Sequence, residues 1–327
     1  MTAAGDPALA GLGPTSGVFF SDMRIDEMFA SSEEPVFSFE FFPPKTEDGE
    51  RNLDEALATL APLRPGFVSV TWGAGGSTRS GTIEIVSEIR RRHGLEAMAH
   101  FTCVGATVDE LHRSLRDMRD AGIQNILALR GDPPPDSDGF EAVPGGLSYA
   151  SELTELVAQD YDFTIVGACY PEVHREAPDR DSDLRRLREK VDAGARVLIT
   201  QLFFDNRDYF EFVADARDAG IHVPIVPGIL PVRSAKQVRR IAGLCGASIP
   251  ARLDRELSSC PDDAAVERVG GRWALDQCRE LLRRGAPGIH FYPLNRAEPT
   301  ATVVRTLRAE RPWLALDSGV APGGAVA

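Results

Sequence analysis

Short apolar runs alternate with amphipathic stretches along most of the chain, from residue 36 to residue 307. Runs rich in Val, Ile, Leu and Phe are typical of parallel strands that are buried on both faces. The stretches between them carry apolar residues at helical spacing; in residues 47–60, for example, Leu53, Leu57 and Leu60 share one face. The pattern therefore predicts strands that are each followed by a helix, at residues 36–42, 67–72, 96–103, 125–130, 163–170, 196–203, 223–230 and 288–292.

Strand–helix units that recur eight times, every ~25 to 45 residues, are what a (β/α)8 barrel requires. The interval lengthens once, where residues 246–269 form a predicted helical insertion before the last strand. A doubly wound open sheet is the alternative, but it needs a topological switch point and usually has fewer units. We therefore predict an α/β fold, a (β/α)8 TIM barrel over residues 31–312. Flexible tails are expected at residues 1–30 and 313–327, because both ends are rich in Gly, Ala and Pro.

The first predicted strand, with the sequence VFSFEFFPP at residues 36–44, places one carboxylate among apolar neighbours. Pro43 cannot donate a hydrogen bond to a sheet, so the strand ends near Phe42 and Glu40 lies at its carboxyl end. Ligands and chemistry collect at that end in parallel α/β proteins. Burial beside aromatic rings is expected to raise the pKa of Glu40 and make it a proton donor. The alternative is a structural ion pair between Glu40 and an Arg elsewhere in the barrel.

The other predicted strands also end in polar residues, whereas their beginnings are mostly apolar. The polar residues at the strand ends are Glu40, Thr71, His100, Asp132, Tyr170, His174, Gln201, Asn295 and Arg296. Two acids, Glu40 and Asp132, with few cations between them suit a site that creates positive charge in its substrate. A loop rich in Pro, Asp and Gly follows at residues 133–146, and its length is that of a functional loop or lid.

Composition narrows the classes of partner. The 327-residue chain has a net charge of −13, which argues against nucleic acid as a partner. It lacks an apolar run that would indicate a membrane segment or an export signal. The cysteines have no CxxC spacing, and His100, His174 and His290 lack the spacing of metal ligands, so we predict neither a disulfide framework nor a metal site. We expect a cytoplasmic protein with a small-molecule substrate.

Two further stretches have more than one interpretation. The loop GAGGS at residues 73–77 fails the dinucleotide-binding spacing, because Thr78 stands where the third Gly belongs. Its glycines are better suited to letting the backbone approach a flat cofactor. The predicted helix at residues 183–190 carries several cationic side chains, which suit either a bound diphosphate or a solvated helix face.

Seven motifs at these strand ends together resemble the methylenetetrahydrofolate reductase family. They are FEFFPP at residues 39–44, VTWGA at 70–74, LRGD at 129–132, YPEVH at 170–174, ITQ at 199–201, PGILP at 227–231 and LNRAE at 294–298. The resemblance implies a flavin-dependent barrel that reduces 5,10-methylenetetrahydrofolate to 5-methyltetrahydrofolate. It implies FAD as the cofactor, NADH or NADPH as the co-substrate, a folate as the substrate, a role in methionine synthesis and a homo-oligomer.

The resemblance also implies roles for individual residues. Glu40 is the expected general acid, and Asp132 is expected beside both the flavin and the folate. The expected FAD contacts are Thr71, Trp72, Ala74, His100, Arg130, Gly131, Asp132, Tyr149, Ala150, Tyr170, His174, Asp183 and Lys190. The expected folate contacts are Glu40, Asp132, Gln201, Gln237 and Arg296, and Gln201 is also expected to serve the nicotinamide.

The chain departs from the family pattern at three positions. Arg186 and Glu189 replace an Asn and an Arg that contact FAD in some bacterial relatives, with Arg185 or Arg188 as alternative contacts. Ile241 replaces a Phe that stacks on substrate in some relatives, and the loss of that ring is expected to weaken nicotinamide binding. The short sequence after residue 307 leads us to expect no C-terminal regulatory domain.

Two alternatives of other classes stay open at this point. One is a barrel that binds folate or flavin without turnover, although the presence of both Glu40 and Asp132 argues against it. The other is a barrel lyase or aldolase, which needs a Schiff-base lysine or a phosphate loop at the rim. Lys45 is the only lysine near the predicted rim, and it lies beyond Pro43 and Pro44.

Overall fold

A computed structural model describes residues 23–72, 79–132 and 139–315 of the chain. Its strands are β1 (Val36–Phe41), β2 (Phe67–Val70), β3 (Glu96–Thr102), β4 (Asn125–Leu129), β5 (Thr164–Cys169), β6 (Val197–Thr200), β7 (Ile225–Val226), β8 (Gly228–Ile229) and β9 (Gly288–Phe291). Its helices are α1 (Ile25–Ser31), α2 (Glu47–Leu60), α3 (Arg79–His93), α4 (Val108–Asp120), α5 (Ala150–Asp160), α6 (Arg180–Asp192), α7 (Asn206–Asp218), α8 (Ala235–Cys245), α9 (Ala251–Ser258), α10 (Asp263–Arg283) and α11 (Thr300–Glu310).

The described strands form one parallel sheet in the order β7-β6-β5-β4-β3-β2-β1-β9-β8. β7 and β8 stand at the two ends of this order, yet only Pro227 separates them in the chain. The ring of strands therefore closes through this segment, and the predicted (β/α)8 barrel is confirmed. The predicted strand over residues 223–230 was wrong as one continuous element, because Pro227 has no N–H for the ladder. Its carbonyl instead accepts a hydrogen bond from the N–H of His290 at 2.9 Å.

Alternate residues of the strands face the helices and the barrel interior. In β1, Phe37, Phe39 and Phe41 belong to the apolar cluster that includes helix residues such as Leu53 and Leu57. Val36 belongs instead to the cluster inside the barrel, which is made of residues from six other strands and α1. Because side chains alternate along a strand, Ser38 and Glu40 share the interior face with Val36. The phenylalanines thus fix which way Glu40 points.

Helix α1 covers the amino end of the barrel, where the sequence analysis placed a tail over residues 1–30. Ile25 and Met28 are fully buried against the interior cluster, and burial of each contributes about 1.5–3 kcal/mol. The N–H of Ile25 donates to Oδ1 of Asn125 at 2.9 Å, and Thr164 Oγ1 donates to Asp26 Oδ1 at 2.9 Å. The predicted tail is therefore too long by at least this helix.

Polar groups also occupy this amino end, where the strand beginnings were expected to be apolar. Glu96 and Asn125 are fully buried, and Nδ2 of Asn125 donates to Oε1 of Glu96 at 2.8 Å. Buried polar atoms need such partners to offset their lost hydration. This network joins β3, β4 and α1 at the end of the barrel opposite to Glu40.

The predicted helical insertion before the last strand is present as α9, between α8 and the long α10. Helix α4 begins with a capping box, with Thr107 and Glu110 as its partners. At the other terminus, Trp313 is buried and its ring lies 6.1 Å from that of Phe37, so the chain packs beyond the predicted boundary at residue 312. Within the described ranges, every helix is too short or too polar to cross a bilayer.

Candidate active site

Glu40 lies at the carboxyl end of β1 and is 8% exposed. Its Oε2 is 3.3 Å from Nε2 of His100 on β3 and 3.6 Å from Nε2 of His290 on β9. Among the described residues, the ion-pair partners of Glu40 are these two imidazoles and no arginine. The described residues therefore do not form the structural ion pair between Glu40 and an arginine that was the alternative.

The pKa of Glu40 differs in direction from the sequence-based expectation. Burial alone raises it, but hydrogen bonding and charge from His100, and then from His290, outweigh burial and lower the pKa to about 2. The expected increase was wrong because the sequence analysis counted the aromatic neighbours of Glu40 and not the imidazoles from distant strands. Glu40 is a carboxylate here, and it needs a proton from another group before it can act as an acid.

The barrel brings most of the predicted rim residues to one end. Thr71 follows β2, the segment from Arg130 to Asp132 follows β4, and Tyr170 follows β5. Gln201 follows β6 and Arg296 follows β9. Asp132 is exposed. The Glu176 hydrogen bond raises the pKa of Arg130, burial raises the pKa values of Tyr170 and Cys245, and the charge of Asp132 adds to each increase, so Asp132 lies near all three. Ala74 lies outside the described residues, as do residues 133–138 of the predicted lid.

Gly131 forms a close backbone turn beside Asp132. Its φ of +89° is in a region that residues with a side chain rarely adopt. A Cβ at this position would lie 2.9 Å from Cβ of Val104 and 3.1 Å from Cβ of Thr102. Only glycine fits, so the backbone between Arg130 and Asp132 can stay close to Thr102 and Val104 at the end of β3.

Arg130 is held by an anion and an aromatic ring. It donates to Oε2 and Oε1 of Glu176 at 2.5 and 2.7 Å, and its guanidinium carbon lies 4.5 Å from the ring centroid of Phe140. The hydrogen bond with Glu176 raises the pKa of Arg130 and lowers that of Glu176. Sequence reasoning missed Glu176, which lies two positions beyond the YPEVH motif.

A second group of predicted cofactor contacts gathers between β5 and α6. The rings of Tyr170 and His174 meet edge to face at 4.6 Å, and the backbone N–H of His174 donates to Oδ2 of Asp183 at 3.0 Å. Nζ of Lys190 donates to the carbonyl of Ala168 at 2.6 Å. Burial raises the pKa of Asp183 and lowers that of Lys190. An added partner of opposite charge would therefore stabilise the charged form of either group.

Two arginines of α6, Arg186 and Arg188, contact different parts of the protein. The guanidinium of Arg186 lies 4.9 Å from the ring centroid of Tyr149, which precedes Ala150 at the start of α5. Arg188 instead donates to Asp192 at 2.8 Å and to the carbonyl of Ala219 at the end of α7. Arg186 therefore lies on the same side as the predicted contact Tyr149, and Arg188 lies away from it.

Two predicted site residues, Trp72 and Gln237, do not lie on the rim loops. Trp72 is buried, with its ring edge to face against Phe101 at 5.5 Å, so it is largely a core residue. Gln237 is on the exposed part of α8, where it lines a cleft together with Ile241, Pro231 and Leu294. In the described ranges no cluster of His, Cys, Asp or Glu is arranged to hold a metal ion.

Comparison with known proteins agrees with this geometry. Residues 24–308 match the family model for methylenetetrahydrofolate reductase. The chain belongs to the methylenetetrahydrofolate reductase family. It is 45% identical over 271 residues to the 5,10-methylenetetrahydrofolate reductase of Escherichia coli, a match that covers 83% of this chain and 90% of that relative.

Other relatives extend the comparison. The methylenetetrahydrofolate reductase (NADH) 1 of Arabidopsis thaliana is 43% identical over 272 residues, and the match covers 80% of this chain and 46% of the plant protein. The chain thus spans about half the length of this reductase-family relative. A solved structure from Clostridium thermocellum, described as binding two copies of 5-methyl-5,6,7,8-tetrahydrofolic acid, has a TM-score of 0.60 and 19% identity over 88% of this chain and 99% of its own. That likeness shows a shared fold.

Proposed function

We propose that this chain reduces 5,10-methylenetetrahydrofolate to 5-methyltetrahydrofolate with FAD and a reduced nicotinamide. The observation that carries the proposal is the buried carboxylate of Glu40 at the barrel rim, within 3.3 Å and 3.6 Å of two imidazole nitrogens, in a member of this reductase family. A carboxylate in that setting can receive and deliver a proton away from bulk water.

The rim fits FAD in chemical character. The backbone turns closely at Gly131 against Val104 and Thr102, and Arg130, Lys190 and Arg186 are the nearby cations for a diphosphate. In this proposal the cofactor is held by Thr71, Ala74, His100, Arg130, Gly131, Asp132, Tyr149, Ala150, Tyr170, His174, Asp183 and Lys190, with Arg186 in addition. Trp72 supports this site through its packing on Phe101. FAD supplies the acceptance and donation of hydride.

The protein's own groups handle the proton and the charge of the folate. Glu40 delivers a proton to the folate nitrogen that must leave the methylene carbon, which opens the five-membered ring to an iminium cation. Asp132 stabilises that cation electrostatically from the open side of the rim. Gln201, Gln237 and Arg296 orient the folate by hydrogen bonds and charge.

The nicotinamide is taken to be NADH, because the Arabidopsis relative carries that cofactor in its name. Gln201 serves both substrates in turn. Ile241 lines the cleft beside Gln237, and an aliphatic side chain there offers less stacking to a nicotinamide than a phenylalanine would. We place the protein in the cytoplasm as a homo-oligomer that supplies methyl groups for methionine synthesis.

The lyase or aldolase alternative lacks a suitable lysine among the described residues of the rim. Lys45 is exposed beyond the end of β1, and Nζ of Lys190 is engaged by the backbone carbonyl of Ala168. A Schiff base requires a free, neutral amine that faces the substrate. The following experiment distinguishes the reductase from a barrel that binds folate or flavin without turnover.

The test is to purify the protein, release its flavin by denaturation, and supply NADH with 5,10-methylenetetrahydrofolate to the intact holoenzyme. We expect a yellow protein, a non-covalent FAD in the supernatant and formation of 5-methyltetrahydrofolate. Flavin and folate binding without product would support the non-catalytic alternative. The absence of flavin after reconstitution with FAD would reject the reductase and the flavin-binding form of the alternative.

A further inference from the structure

His290 is a fully buried imidazole for which the proposed reaction has no role so far. Its ring is stacked on Phe67 with centroids 6.1 Å apart, and it meets Tyr292 edge to face at 5.2 Å. Removing a titratable ring from water costs free energy unless its nitrogens have partners. The partners of its two nitrogens therefore indicate what the ring does.

Both nitrogens of His290 face polar groups of β1. Nδ1 lies 2.8 Å from Oγ of Ser38, a hydrogen bond whose direction depends on the tautomer. Nε2 lies 3.6 Å from Oε2 of Glu40 and makes no hydrogen bond of good geometry to another described residue. Ser38 and His290 are directly opposite each other in the ladder between β1 and β9. Ser38 and Glu40 are two positions apart and share one face of the strand, so the three side chains form a row.

We propose that His290, oriented by Ser38, is a positioning residue that stores a proton for Glu40 and returns it to the carboxylate before each reduction of folate. The inference rests on the proposed function of Glu40 as the acid. It accounts for the geometry on both sides of the ring. Ser38 anchors one nitrogen, which leaves the other nitrogen, unpaired and buried, directed at the carboxylate that must be protonated.

The proton balance needs no other reagent than water. In the proposed sequence the proton starts on Nε2 of His290, whose Nδ1–H donates to Oγ of Ser38, and Glu40 starts as a carboxylate. The proton on Nε2 of His290 moves to Oε2 of Glu40, and Glu40 then passes a proton to the folate nitrogen. This leaves a carboxylate and a neutral imidazole that is still protonated on Nδ1. A proton from water returns to Nε2, and no electron moves in this sequence.

Two of the other groups near this row, Tyr292 and Cys245, stay neutral, whereas a third, His100, faces the same carboxylate as His290. Burial raises the pKa of Tyr292 well above 10, with the charge of Glu40 adding to it, and burial followed by the charges of Asp132 and Glu40 raises that of Cys245 to about 11. Both stay neutral between about pH 5 and pH 9. His100 faces the same Oε2 at 3.3 Å from β3, so a test must separate it from His290.

The first experiment follows the histidines directly. Holoenzyme labelled with ¹⁵N-histidine is titrated by NMR, and the His290 signal is assigned by its loss in His290→Gln. We expect its titration midpoint to fall by about one pH unit or more in Glu40→Gln, because the neighbouring anion is gone. Ser38→Ala should change the tautomer, which the ¹⁵N shifts report. An unchanged His290 midpoint in Glu40→Gln would overturn the inference.

Ser69→Ala is the matched control for Ser38→Ala. Ser69 is also a fully buried strand serine, it lies opposite Glu40 in the ladder between β1 and β2, and its hydroxyl has no hydrogen-bond partner among the described residues. Ser69 makes no hydrogen bond to His290. We expect the His290 signal of Ser69→Ala to match that of the wild type. A tautomer change of equal size in both variants would mean that Ser38 has no specific role.

The second experiment separates the two half-reactions in stopped flow. In His290→Gln, which can donate a hydrogen bond but cannot be protonated, flavin reduction by NADH should stay within about threefold of wild type. Folate reduction should fall about 10-fold or more, with a steeper loss as pH rises. Ser38→Ala should show the same pattern more weakly, which keeps the test usable if His290→Gln does not fold.

The two hypotheses fail in different ways. If the wild type forms no 5-methyltetrahydrofolate at any pH, the proposed function fails. If the wild type is active and the folate half-reaction of both variants keeps the wild-type rate and pH profile, the role of His290 fails and that of Glu40 stands.

Discussion

Arg130 donates two hydrogen bonds to Glu176, at 2.5 and 2.7 Å, and so carries its own counter-ion at the rim of the barrel. The pair is asymmetric, because the Arg130 side chain is 19% exposed and that of Glu176 is 52% exposed. Arg130 is fixed in place, whereas Glu176 is largely in water. A bound diphosphate would meet the positive charge of Arg130 and the negative charge of Glu176 together.

Glu176→Gln should strengthen the binding of FAD to the apoprotein by about two- to tenfold at low salt, because one negative charge beside the diphosphate is removed. Flavin fluorescence titration measures the dissociation constant, and the gain should shrink as salt is added. Glu310→Gln is the control, since Glu310 also makes a two-bond pair with an arginine, Arg279, on α10. Weaker binding in Glu176→Gln would mean that Glu176 serves the site by orienting Arg130.

Glu40→Gln should affect the half-reactions unequally. Glutamine is nearly the same size but cannot supply a carboxyl proton, so folate reduction should fall by at least ~10²-fold. Flavin reduction by NADH needs orientation and no proton for the folate, and it should stay within about tenfold of wild type. Stopped-flow absorbance times each step alone. Equal losses in both steps would show that Glu40 maintains the structure of the site instead.

Gly131→Ala should destabilise the apoprotein by more than Gly285→Ala does. The two glycines have nearly equal φ values, +89° and +87°, but a Cβ at Gly285 meets nothing within 4 Å. Both variants therefore carry the backbone strain of about 1–3 kcal/mol, and the first adds the overlap with Val104. Urea unfolding compares the free energies, and flavin content should fall in Gly131→Ala alone. Equal destabilisation with full flavin in both would contradict the close turn.

The lowered pKa of Glu40 predicts how stability depends on pH. A carboxyl group with a pKa of about 2 in the folded chain, against an ordinary value of 4.5, favours the folded state above pH 4.5. That contribution, on the order of 3 kcal/mol, is lost as the pH falls from 4.5 towards 2. The difference in unfolding free energy between wild type and Glu40→Gln should therefore narrow over this window. A difference that stays constant with pH would show that the imidazoles do not stabilise the carboxylate.

Local patterns were enough to predict the barrel and the end of it at which Glu40 lies, but not the polar network of Glu96 and Asn125 at the opposite end. Apolar periodicity depends on nearest neighbours along the chain, and parallel strands place their carboxyl ends on one rim. The environment of Glu40 was not predictable in this way. Ser38 and His290 are 252 positions apart, and their meeting depends on how the first and last strands pair. The alternation in VFSFEF already placed Ser38 on the face of Glu40, and this was the one signal available.

The helix α1 makes its polar contacts with residues far along the chain. Arg24 and Asp26 reach Asp162 and Thr164, each across 138 positions. During synthesis, Ile25 and Met28 therefore leave the ribosome long before the last of the strands that bury them exists. The nascent chain must carry an apolar segment in solution until β5 has emerged. We expect this segment to be where a chaperone first binds, and barrel closure at the amino end to be among the late steps of folding.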